Sequence, residues 1–299
     1  MKFADLLTET RNPATTNIDT LSTEVMLHVF NDEDNTVPDR VRETIPQIAK
    51  AVDAIHERVK QGGRLFYMGA GTSGRLGVLD ASVCPPTFGV PRDLVIGIIA
   101  GGDPALRVSA EGAEDSREQG GIDLMANGFN QSKGLDVLVG IAASGRTPYV
   151  LGAMETAQQH GCLTIGLSCV PGSPVEAAAD IAITPATGAE PVTGSTRMKA
   201  GTATKLVLNM LSTGLMVKLG YVYGNLMTNV QPTNVKLVDR AERIIAAATG
   251  ATPPHAAELL QQAGSVRTAI VMEKRGLTRA DAEAALERGG QSLRAALGE

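Results

Sequence analysis

Tryptophan is absent from this 299-residue chain, and only five phenylalanines and four tyrosines are present. A groove that stacks nucleobases draws on aromatic platforms and clustered cations. The chain has neither: 27 Lys+Arg stand against 32 Asp+Glu, a formal charge of −5, with no basic run. Nucleic acid is therefore not an expected partner. Cysteine is scarce as well. Cys84, Cys162 and Cys169 form an odd set without metal-ligand spacing, which excludes a disulfide framework or a cysteine zinc site and suits a reducing compartment. His28, His56, His160 and His255 are too scattered for a metal cluster. Long apolar runs are missing too. The longest, Leu206 to Leu219, is broken by Asn209, Ser212, Thr213 and Lys218, so it reads as a buried helix and not as a membrane span. Met1-Lys2-Phe3-Ala4-Asp5 lacks the pattern of an export signal. These absences together predict a cytoplasmic globular protein with no metal and no membrane partner.

What is present is an alternation of short apolar runs with helical segments. Strands are expected at Leu65–Met68, Leu94–Ile99, Val137–Ile141, Leu163–Ser168 and Ile181–Thr184, with helices around Leu76–Ser82, Asp103–Glu118, Tyr149–His160 and Met198–Leu219. That order predicts an α/β fold, a parallel sheet sandwiched by helices, with its ligand at the carboxyl ends of the strands. Ahead of the sheet, Ser22 to Phe30 has helical spacing, Asn31 to Pro38 breaks it, and Val41, Ile45, Ile48, Val52, Ile55 and Val59 predict one long amphipathic helix through Lys60. Beyond Asn225, Ala- and Glu-rich pieces punctuated by Thr252-Pro253-Pro254, Gly276 and Gly289-Gly290 predict a small bundle of short helices from Val235 to near Leu297. The expected divisions are an N-terminal helical segment (1–56), a sheet domain (57–225) and a C-terminal helical bundle (226–299).

Three polar turns carry the candidate chemistry. Gly69-Ala70-Gly71-Thr72-Ser73-Gly74-Arg75 follows the first apolar run and opens a helix, an arrangement that offers backbone N–H groups, two hydroxyls and a helix dipole to an anion. Ala143-Ser144-Gly145-Arg146-Thr147-Pro148 repeats that placement after another run. Two such loops at strand ends of one sheet can converge on one phosphate, whereas either alone could be a capped helix start. The third turn, Glu190 to Thr202, opens the most apolar helix. Arg197 and Lys199 there oppose the helix dipole, so a compensating anion is expected. Glu111 to Glu118 places four acids in eight residues. On a helix, Glu111 with Asp115 and Glu114 with Glu118 would face different ways, so one pair at most would line a cleft.

These motifs, with Asp80-Ala81-Ser82 and Cys84-Pro85-Pro86-Thr87, resemble in order the N-acetylmuramic acid 6-phosphate etherases, built on the sugar-isomerase (SIS) domain. The resemblance runs from about Leu6 to the C-terminus. It implies a cofactor-free homodimeric lyase that cleaves the D-lactyl ether of a sugar 6-phosphate with water. It also implies Glu114 as the base, Gly71, Thr72, Ser73, Ser144, Gly145 and Thr147 as the phosphate cradle, and Ser195 and Lys199 as further substrate contacts. One position departs. Where the family carries the glutamate that protonates the leaving group, this chain has Val83, so severely impaired turnover is expected. An engineered substitution, a natural loss, and transfer of the role to Glu111, Asp115 or Glu190 are the competing accounts. The related glucokinase regulatory protein, which binds sugar phosphates without catalysis, supplies the alternative function.

Overall fold

The computed structural model describes residues 7–232, 234–290 and 292–299. Met1 to Asp5, considered above as an export signal, lies outside them. The chain gathers into two compact units. The first holds residues up to 82 and 93–212, and the second holds 83–92 and 213–299.

The first unit is built on five strands: β1 (Leu65–Gly69), β2 (Val95–Ile99), β3 (Val137–Ile141), β4 (Leu163–Leu167) and β5 (Ile181–Ile183). They lie parallel in the order β2-β1-β3-β4-β5. Every residue of β1, β3 and β4 is buried, which is why these segments read as unbroken apolar runs without alternation. The starts of β1 and β3 are tied by Asp136, wholly buried, whose Oδ1 accepts from the Arg64 backbone N–H at 2.9 Å while its Oδ2 pairs with the Arg64 guanidinium at 2.8 Å.

Helices α1 (Thr23–Asp34), α2 (Val37–Arg42) and α3 (Ile45–Val59) precede the sheet. The expected long helix is therefore two. Pro46 falls in the first turn of α3, where it cannot donate to a preceding carbonyl, and the Thr44 hydroxyl closes α2 by donating to the Val41 carbonyl at 2.8 Å. Between the strands run α4 (Gly71–Phe88), α5 (Arg117–Ala126), α6 (Pro148–Gln159), α7 (Pro174–Ala177) and α8 (Lys199–Lys218). Helix α4 starts well before Leu76 and continues past Ser82 through Pro85 and Pro86.

The helix expected over Asp103–Glu118 is not formed. A short 3-10 helix, Asp103–Leu106, is followed by turns in which Gly112 has φ +75°, and α5 begins only after Ser116, whose hydroxyl caps it by accepting from the Gln119 N–H. The Arg75 guanidinium, a charge in the first glycine loop, is committed here. It donates to the carbonyls of Ala105 and Leu106 at 2.7 and 3.1 Å. Phe66, Leu138, Tyr149 and Met154 form the core between the sheet and α5, α6 and α7, with Phe129 edge-on to Phe66 at 5.0 Å.

The second unit contains the short hairpin β6 (Val222–Tyr223) and β7 (Leu226–Met227) and helices α9 (Val235–Thr249), α10 (Pro253–Ala263), α11 (Val266–Arg275), α12 (Arg279–Arg288) and α13 (Leu293–Leu297). Ile245, Leu259, Ile270 and Leu286 are at its centre. Glycines in the left-handed conformation end α9, α10 and α11. No described helix is long and apolar enough to cross a membrane.

Candidate active site

Strands β1 and β3 are neighbours, and their register sets Gly69 beside Ile141. The loops that follow them consequently start level with each other. In the first, the helix begins almost at once. A Cβ on Gly74 would lie 2.6 Å from the Gly69 carbonyl oxygen, so only glycine lets the first turn of α4 fold this tightly onto the end of β1. In the second, Gly145 has φ +68°, and a Cβ there would lie 2.2 Å from the Ser173 hydroxyl.

Between the two loops is a cavity of about 370 Å³, lined by Gly71, Thr72 and Ser73 from the first and by Ser144, Arg146 and Thr147 from the second. Glu114 and Asp115 close another side, and Gly194, Thr196 and Glu9 complete it. The structure thus gathers five of the six expected cradle residues together with the expected base. Gly145 shapes the second loop without lining the cavity.

The two helix starts do not offer the same donors. At α6, Pro148 has no N–H, the Tyr149 N–H donates to the Glu114 carbonyl at 3.0 Å, and that of Val150 returns to the Thr147 carbonyl at 3.1 Å. The first turn of α4 is the helix start that offers an anion backbone donors, because helix geometry leaves N–H groups there without intrahelical partners. Helix α6 contributes hydroxyls instead. Thr147, its N-cap residue, makes no side-chain capping bond, so its oxygen is not consumed by the helix it precedes.

The Tyr149–Glu114 bond also fixes the acidic segment, because it docks the Glu114 backbone on α6. As residues 107–116 are turns, the helical pairing of acids does not apply. Glu114 and Asp115, one from each supposed pair, line the same cavity, while Glu118 belongs to a separate groove between α5 and α6. Among the described residues no cluster of three or more acids, histidines or cysteines is arranged to hold a metal ion.

The third turn divides. Gly194 and Thr196 line the cavity and Ser195, between them, is half-buried and off the lining. Lys199 is not a lining residue. It is buried, and its Nζ lies 2.7 Å from Glu33. The anion expected at this helix start is the chain's own. The wholly buried Glu190 carboxylate accepts from the N–H groups of Lys199 and Ala200 at 2.8 and 3.0 Å. Burial pushes its carboxyl above the usual range, against those bonds.

Asp80 is likewise a tie between helices. Its Oδ1 accepts from Asn209 and Ser212 on α8 at 2.8 and 3.2 Å, and burial raises its pKa. Val83 is 45% exposed on α4. Of the residues considered for the missing acid, Asp115 reaches the cavity, Glu111 does not, and Glu190 is committed to α8. Glu9 and Arg146 are lining residues for which the sequence carried no assigned role. Nothing in the Thr- and Asn-rich segment around Glu9 signals a site.

Residues 47–158 match the family described as the glucokinase regulatory protein N-terminal SIS domain. Over 298 residues the chain is 54% identical to the N-acetylmuramic acid 6-phosphate etherase of Enterobacter sp. (strain 638), covering 99% of both chains. It is 55% identical to that of Cronobacter sakazakii, again over 99% of both, and 55% identical to that of Yersinia pestis, over 99% of this chain and all of the other. Among solved structures, the phosphoheptose isomerase of Neisseria gonorrhoeae shares the fold at a TM-score of 0.50 and 15% identity, covering 65% of this chain and 98% of that one.

Proposed function

The chain belongs to the N-acetylmuramic acid 6-phosphate etherase family, and from that premise we propose that it converts N-acetylmuramic acid 6-phosphate and water into N-acetylglucosamine 6-phosphate and D-lactate, a carbon–oxygen lyase step of peptidoglycan recycling. The observation that carries this reading is the meeting of two hydroxyl-bearing loops with Glu114 in one cavity. The 6-phosphate is held by Thr72, Ser73, Ser144 and Thr147, with the first-turn N–H groups of α4 supplying backbone donors and Gly71 and Gly145 letting the loops close on it. Ser195 supports that wall.

With the sugar in its open-chain aldehyde form, the Glu114 carboxylate removes the proton at C2. The electron pair forms the C2–C3 double bond as the C3–oxygen bond breaks and lactate leaves. Water then adds to the unsaturated aldehyde, hydroxyl to C3 and proton to C2. The departing oxygen needs a proton, and at position 83 this chain has a side chain with none to give. General acid catalysis contributes about 10²–10⁴-fold, so turnover falls by that order while binding and C2 chemistry survive. The working form is taken as a cytoplasmic homodimer that needs no cofactor, with no nucleic acid or membrane partner.

The match to the regulatory-protein SIS domain over residues 47–158 favours a second reading, a sugar-phosphate-binding regulator without catalysis. One pair of measurements separates the two. In deuterated water the enzyme exchanges the C2 proton of N-acetylglucosamine 6-phosphate, Glu114→Gln does not, and Val83→Glu raises lactate release by about 10²–10⁴-fold. Tight sugar-phosphate binding with no exchange would sink the base assignment. Failure of Val83→Glu to raise lactate release would favour the regulator.

A further inference from the structure

We propose that Arg146 recognises the lactyl carboxylate and so distinguishes the substrate from the product sugar. The proposal rests on the function argued above. Among the described lining residues Arg146 is the one cation, facing a cavity that also presents Glu9, Glu114 and Asp115. The substrate carries two anionic groups, a phosphate at C6 and the carboxylate of the ether substituent at C3, on opposite sides of the sugar. Both must be neutralised in a cavity already rich in carboxylates.

The two anions suit different parts of the lining. A phosphate takes several donors at once, which the first turn of α4 and the hydroxyls of Thr72, Ser73, Ser144 and Thr147 supply from both loops. A carboxylate is planar with two acceptor oxygens, the shape that the guanidinium fork fits with two parallel N–H bonds. The hydroxyls and helix N–H groups match the phosphate, and the guanidinium, the one lining cation among the described residues, matches the carboxylate. Its backbone supports the role: the Gly145 turn, fixed by a positive φ and by contact with Ser173, and Pro148 flank it in a loop of little freedom.

The product sugar has a hydroxyl at C3 and no carboxylate, so Arg146 contributes to binding one ligand and not the other. Calorimetric titration of the full chain with each sugar phosphate reads this directly. Arg146→Gln should weaken N-acetylmuramic acid 6-phosphate by about 10–100-fold, in keeping with loss of a charge-assisted pair, and leave N-acetylglucosamine 6-phosphate within about twofold. Arg146→Lys, which keeps the charge without the fork, should lose less. Retained binding of the product sugar also shows that each variant is folded. Equal weakening of both ligands would put Arg146 on the phosphate, and no weakening of either would remove it from recognition. Each result overturns the proposal. If the unaltered chain binds neither sugar phosphate, the function itself is wrong, and this inference goes with it.

Discussion

The Nζ of Lys199, at the start of α8, lies 2.7 Å from the Oε2 of Glu33 near the end of α1, and the Asn12 side chain donates to the same oxygen at 2.7 Å. Asn12 also reaches the Ala189 carbonyl at 3.3 Å, next to the Glu190 that caps α8. The network therefore fastens the N-terminal segment, which brings Glu9 to the cavity, to the turn that brings Gly194 and Thr196.

Lys199→Met should accordingly act on stability before it acts on affinity. Removing one partner of a largely buried pair strands the other, and a loss of about 1–3 kcal/mol is expected. Burial raises the Glu33 carboxyl, but the bonds from Lys199 and Asn12 outweigh it and hold it below 4.5. A depressed carboxyl stabilises the fold above its unfolded pKa and ceases to do so as pH falls through the folded one. The deficit of the variant should be full at neutral pH and shrink below about pH 4.5. Denaturation of both proteins across that range checks it. A variant of unchanged stability that lost sugar-phosphate affinity would return Lys199 to the list of ligand contacts.

Gly145→Ala tests the second loop. The positive φ and the 2.2 Å approach of a Cβ to the Ser173 hydroxyl act together, so a loss of about 2–4 kcal/mol and weaker binding of N-acetylglucosamine 6-phosphate are expected. Urea titration and calorimetry read the two effects. Native stability and affinity in the variant would show that the loop yields at little cost.

In the second unit, His255 on α10 lies 3.1 Å from Glu273 on α11 and 3.6 Å from Glu258. The hydrogen bond with Glu273 raises the imidazole above 6.5. A raised histidine contributes in full below its unfolded pKa and loses that contribution as pH rises through the folded value. Proton NMR should give a midpoint above 6.5 for His255, and Glu273→Gln should bring it back toward 6.5. No movement in the variant would put the cause elsewhere.

The five strands and helices α4, α6 and α8 are legible because buried parallel strands are unbroken apolar runs set between segments of helical spacing, and the two glycine- and hydroxyl-bearing turns because they stand at the ends of such runs. Pro46 is masked as a break because the apolar spacing on either side of it continues in step. Residues 103–118 look helical by composition, but Gly112 at positive φ and the Ser116 cap outweigh propensity there. Lys199 misleads for a different reason. A cation beside a polar turn suggests a ligand, and only the tertiary fold brings Glu33 from 166 residues away to meet it. Glu9 joins the cavity for the same reason, through a pairing of distant segments that no local pattern encodes, whereas Arg146 is carried there with Ser144 and Thr147 by the second loop.

The pairing of β1 with β3 makes the sheet a ruler for the two loops that line the cavity. The two loops rise from adjacent strands, about 4.8 Å apart, with Gly69 level with Ile141. Their separation is set by the backbone ladder before any side chain is chosen. Changing a loop residue alters the chemistry of a jaw and leaves the gauge alone, whereas inserting one residue within β1 or β3 would slide one jaw past the other by about 3.3 Å, more than the length of a hydrogen bond. The spacing of the two loops is accordingly a property of strand register, and a register change would alter it even with every loop residue retained.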